Sequence, residues 1–201
     1  PWTTPASVSE SGTPGLSGLP ALVADGEGRL HALWGDPEPR SADQGVAAGY
    51  LTYARLGTIA TSAVSTDDDL QWSRPAQVLQ SPQGAAVQLA LVAYQDRLYA
   101  LWSGGQDGTI YISQSFIGDA YAAGGWSAPF DLPMGGLTAS APDALVDAYG
   151  TLHLVYAAPL NEGRGIYYLR SDTSRGEGQE GAGQIDAWGE PNLVFDAQAA
   201  G

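Results

Sequence analysis

The 201-residue chain has no cysteine and no lysine, a single Met and only three Phe. Without Cys there is no disulfide, no thiolate nucleophile and no Cys-ligated zinc, so packing alone must hold the fold. Eight Arg stand against 22 Asp and Glu, and the formal charge of −14 repels phosphate backbones and anionic head groups alike. Nucleic acid and acidic membrane surfaces are thereby poor partners. No run approaches the roughly 18 consecutive apolar residues of a spanning helix, so no membrane insertion is expected. The chain opens at Pro1 with neither Met nor a signal-like segment, which reads as a processed or truncated start.

What the chain does contain is repetition. Ala21-Leu22-Val23, Ala90-Leu91-Val92 and Ala144-Leu145-Val146 are three copies of one phrase, each followed by a short polar turn and a second apolar run. Those runs, Leu30 to Trp34, Leu98 to Trp102 and Leu152 to Tyr156, all close on an aromatic residue. A third run follows each: Tyr50 to Tyr53, Thr109 to Ile112 and Ile166 to Leu169. A fourth begins with Trp-x-x-Pro, at Trp72/Pro75, Trp126/Pro129 and Trp188/Pro191, and once more at Trp2/Pro5.

Four short strands per unit, joined by Gly, Asp, Ser and Pro turns and with no long helical spacing, predict an all-β chain. The spacing suits four-stranded propeller blades with loop insertions, at 20–80, 88–134 and 141–196 of a single domain spanning 1–201. The first strand of each unit is nearly all apolar, as for an innermost strand buried on both faces. Pro20 and Pro142 fit strand entry, and the Trp-x-x-Pro strand reads as the outer edge, where a missing amide donor is tolerated. Residues 1–8 then supply an extra N-terminal outer strand that no later unit lacks. The expectation is a propeller segment of three antiparallel blades plus that strand, its open edges covered by further blades, a second copy or a larger complex.

Ser65-Thr66-Asp67-Asp68-Asp69-Leu70-Gln71-Trp72 resembles the Asp-box, Ser-x-Asp-x-Gly-x-Thr-Trp, of sialidase-like propellers, with Asp69 in place of Gly and Gln71 in place of Thr. The resemblance implies a structural role for Ser65, Asp67 and Trp72, the short side chains bonding turn amides while Trp packs between sheets. Active members carry an arginine triad, a Tyr/Glu pair and an Asp acid/base. No motif for that set is found here, so no catalytic residue is assigned and the chain reads as a non-catalytic module for carbohydrate or protein binding or scaffolding. What the resemblance implies for location is a secreted, periplasmic or cell-surface protein. Two rivals are a fragment of a sialidase-type glycoside hydrolase whose catalytic residues lie in other blades, and an accessory subunit of a larger complex.

Strand alternation groups the loops between second and third strands at one end of the molecule, where the family usually binds ligand. Asp36, Glu38, Arg40, Asp107, Asn161, Glu162 and Arg164 fall there, able to meet hydroxyl-rich ligands or, through Arg, a carboxylate. His31 and His153 hold equivalent strand positions in different units, which favours a structural role over metal ligation, and no metal or cofactor is expected. Trp34, Trp102 and Tyr156 could stack on sugars, but their matched positions point to packing between sheets. Gly176, Gly178 and Gly181 spell Gly-x-Gly-x-x-Gly, yet a strand rather than a helix is expected to follow, so no phosphate cradle forms.

Overall fold

A computed structural model describes residues 8, 19–37, 49–58, 70–104, 108–159, 165–172 and 188–196. Every regular element among them is a β-strand. The first sheet comprises β1 (Ala21–Ala24), β2 (Leu30–Pro37), β3 (Gly49–Thr58), β4 (Leu70–Trp72) and β5 (Ala76–Ser81). The second has β6 (Ala86–Tyr94), β7 (Arg97–Gly104), β8 (Ile110–Phe116) and β9 (Phe130–Asp131). The third has β10 (Ser140–Val146), β11 (Thr151–Ala158), β12 (Gly165–Asp172) and β13 (Asn192–Asp196). All pairs are antiparallel between sequence neighbours, except that β3 pairs with both β4 and β5.

The fifth strand of the first sheet follows from the Trp-x-x-Pro run. Pro lacks the amide donor a ladder needs, so the outer strand pairs at Trp, breaks at Pro and pairs again beyond it. In the first sheet both pieces are strands. In the others the Trp half shrinks to a single bridge, Ser115 with Trp126 and Ser171 with Trp188. The residue after each Trp donates to one equivalent carbonyl: Ser73 N to Arg55 O, Ser127 N to Gln114 O and Gly189 N to Arg170 O. The extra outer strand expected at residues 1–8 lies outside the described residues, apart from Val8, which packs beside Trp34.

Two apolar layers join the three sheets in sequence order. Leu33, Leu51 and Tyr53 of the first sheet meet Leu98, Ala100, Trp102 and Tyr111 of the second. Leu101, Ile110 and Ile112 on the second sheet's far face meet Leu152, Leu154, Tyr156 and Leu169 of the third. Strand β6 touches β1 and β2 on one side and β10 on the other. Gly35 lies so close to the Ala86 carbonyl of β6 that a side chain there would collide with backbone.

Burial of the first strands on both faces holds for β6, whose Ala90, Leu91 and Val92 are all buried, and fails for β1 and β10. The physical reason is position: among the described residues, β6 alone of the three has a sheet on each side. Pro142 lies within β10 rather than ahead of it, at the register shift between Ser140 and Asp143, where a missing donor costs no ladder bond. The third Ala-Leu-Val copy is also displaced by one residue. Ala21 and Ala90 pair with Leu33 and Leu101, whereas Asp143 pairs with the equivalent Val155 and Ala144 moves on to Leu154. A one-residue slip turns each side chain to the opposite face, so Leu145 stands where Val23 and Val92 stand.

Candidate functional site

Only Asp36 of the loop-end candidates and Trp72 of the Asp-box lie among the described residues; Glu38, Arg40, Asp107, Asn161, Glu162, Arg164, Ser65 and Asp67 lie outside them, as do Gly176, Gly178 and Gly181. Asp36 ends β2, and its Oδ2 accepts from Trp34 Nε1 at 3.1 Å and Thr52 Oγ1 at 2.8 Å. Those bonds tie its carboxylate to its own sheet. Trp72 is half-buried against Ala32, Trp34 and Ala54.

The three aromatics that close the second strands are all buried. Trp102 donates from Nε1 to Ser81 Oγ at 3.0 Å and Tyr156 stacks on Tyr167 with ring centres 5.5 Å apart. Buried faces offer no platform to a sugar ring.

The most developed polar arrangement is one that spacing along single strands did not reveal. In the first sheet Asp25 opens the β1–β2 turn, and its Oδ1 accepts from the Glu27 and Arg29 amides, both at 2.9 Å. Its Oδ2 binds Arg29 Nε at 2.7 Å and His31 Nε2 at 3.1 Å, while His31 Nδ1 lies 2.7 Å from Tyr53 Oη. In the third sheet Asp147 Oδ1 accepts from the Tyr149 and Thr151 amides, Asp147 Oδ2 meets His153 Nε2 at 3.1 Å, and His153 Nδ1 meets Tyr168 Oη at 2.7 Å. Apart from the Arg29 bond, which has no counterpart where Thr151 stands, the two turns make the same bonds, each with a left-handed glycine, Gly28 (φ 77°) or Gly150 (φ 83°). Only glycine takes that conformation without a Cβ penalty.

Hydrogen bonding assigns the tautomer: Nε2 carries the proton and gives it to Asp, leaving Nδ1 to accept from the phenol. Burial pushes the Asp25 carboxyl up, but the bonds from Arg29, His31 and the turn amides outweigh it and hold the group well below the usual carboxylate range. Burial lowers the His31 imidazole against the opposing pull of Asp25, and burial raises the Tyr53 phenol to about 12. Asp147 is lowered chiefly by the Thr151 amide and then by His153. A relay of this kind can orient a phenol. Because the buried copy at His31 repeats it where no ligand reaches, its common function is to lock the first three strands of a sheet together.

The second sheet carries no such relay. Its turn is two residues long, Tyr94 replaces the Asp, Tyr99 replaces the His and Ile112 replaces the Tyr. The signal that marks the relay in sequence is Asp six residues before His, with Tyr two residues before an Arg in the following strand: Asp25/His31 with Tyr53/Arg55, and Asp147/His153 with Tyr168/Arg170. Among the described residues no cluster of three or more His, Asp or Glu is placed to hold a metal ion. No family model matches the chain, and no curated protein matches it.

Proposed function

We propose that this chain is a three-blade segment of a sialidase-like β-propeller, acting outside the cytoplasm as a non-catalytic binding or scaffolding module for carbohydrate or protein. The observation that carries the reading is the repeated packing: three antiparallel meanders follow one another in sequence order, the first strand β6 set between β1 and β10. Successive blades around a common axis bring first strands together in that way. The Trp-x-x-Pro break in every outer strand supports the same radial order, since it places the strand that cannot complete its ladder at the rim.

On this reading the ligand is met at the loop end, where Asp36 sits, because the strand aromatics are committed to the core. The test pairs a glycan array with a protein pull-down on the chain. Reproducible capture of a glycan class or of a defined protein is expected, and blank results in both sink the binding role.

A further inference from the structure

Between the second and third sheets three polar atoms are buried with no hydrogen-bond partner among the described residues: Gln114 Oε1, Ser171 Oγ and Trp188 Nε1. Register and packing bring them to one place. Ser171, itself buried, pairs with Leu152 on one side and bridges to Trp188 on the other, and residues directly opposite one another project from the same face of a sheet. On that face Leu152 and Leu154 meet the second sheet, and Trp188 packs against the same cluster. Gln114 pairs with Tyr99, a member of that cluster, and so faces the third sheet from the second. Tyr99 and Leu152 both lie near the start of their strands, beside the first hairpin turn of each sheet, which sets all three atoms at one end of the layer.

The layer between the first and second sheets supplies a matched case. Ser115 and Trp126 bridge there as Ser171 and Trp188 do, but Ser115 Oγ donates to Phe116 O at 3.0 Å and Trp126 Nε1 to Ala120 O at 2.8 Å. Arg55, in the place of Gln114, is exposed. Protein atoms thus satisfy the first seam, whereas the second gathers a donor, an acceptor and a hydroxyl that can serve as either.

We propose that one water molecule is built into the second seam, accepting from Trp188 Nε1, donating to Gln114 Oε1 and sharing a hydrogen bond with Ser171 Oγ. Held by about two to four polar partners, a buried water is part of the structure, and this one has three. It ties the outer part of the third sheet to the second sheet. Tyr156 Oη, unpartnered and further along β11, offers one partner alone, too few to hold another. The inference rests on the packing of the second and third sheets and is independent of the propeller reading.

Water-selective nuclear Overhauser spectroscopy on the full chain, isotope-labelled at tryptophan, tests it. The Trp188 Nε1 proton is expected to show a cross-peak with the sign of a water that tumbles with the protein; those of Trp102 and Trp126, bonded to Ser81 and Ala120, should show none. Ser171→Ala and Gln114→Leu each remove a partner and should abolish the cross-peak and speed exchange of the Trp188 indole proton about tenfold or more, with unchanged circular dichroism as the control for folding. A crystal structure of the unaltered chain at atomic resolution needs no variant and should place a water oxygen within hydrogen-bond distance of all three atoms. No cross-peak at Trp188, a cross-peak that survives Gln114→Leu and so belongs to the Ser171 hydroxyl, or a protein carbonyl in the water's place would each overturn the inference.

Discussion

His31 and His153 make the same two hydrogen bonds in different surroundings, the first fully buried and the second half-exposed. Removing the phenol oxygen should separate them. Tyr53→Phe leaves His31 Nδ1 buried without a partner and should cost about 1–3 kcal/mol, while Tyr168→Phe lets water replace the lost bond and should cost under about 1 kcal/mol; urea denaturation of the two variants checks the difference. The sign of the pH effect follows from the same site. His31 is held below its ordinary value of 6.5, so the unfolded chain takes up that proton first, and the stability gained from neutral His31 is full above that pH and lost as pH falls toward the folded value. Asp25 is held below its ordinary 3.8, and its contribution is present above that value and lost in stronger acid. The denaturation midpoint should therefore fall in two stages on acidification, and His31→Asn should abolish the upper one. Tyr156 gives the opposite case. Its hydroxyl is buried with no hydrogen-bond partner among the described residues and its phenol is pushed up to about 12, so Tyr156→Phe should raise stability by about 1 kcal/mol in thermal denaturation.

At the scale of the element, close approach and register set the tolerances. A methyl at Gly35 would strike the Ala86 carbonyl, which belongs to the neighbouring sheet's backbone and cannot rotate away. Gly35→Ala should cost about 1–3 kcal/mol in chemical denaturation, and the same change at Gly57, which has open space around it, should cost far less. The strands themselves were legible from the sequence, because apolar alternation, Gly and Asp turns and the Trp-x-x-Pro runs are local signals. The register was not: Ala-Leu-Val reads identically three times, yet the bulge at Pro142 slides the third copy by one residue and reverses its faces. The relays were half legible, with Asp and His six apart, while Tyr53 and Tyr168 come from the next strand and depend on pairing that no single strand displays. Of the loop-end candidates Asp36 alone can be placed, and it serves Trp34 and Thr52.

For the whole molecule, what matters is that each sheet is continuous in sequence and, among the described residues, packs chiefly on the sheets before and after it along the chain. Trp126 shows how such neighbours are tied: buried, it donates to Ala120 O at 2.8 Å and meets Tyr53 of the preceding sheet edge-on at 6.5 Å, while Tyr121 Oη reaches the Arg74 carbonyl at 2.7 Å. Trp126→Ala should cost about 3–5 kcal/mol and unfold the first and second sheets together, which paired tryptophan fluorescence and far-ultraviolet dichroism would register as one transition. The placement of β6 between two sheets has a consequence for how the chain comes apart. Stability in such an array is close to a sum over neighbours, so an end sheet detaches by breaking one interface and the middle sheet only by breaking two. Amide exchange and proteolytic nicking should thus advance inward from both ends, with β6 and β7 the last segment to yield.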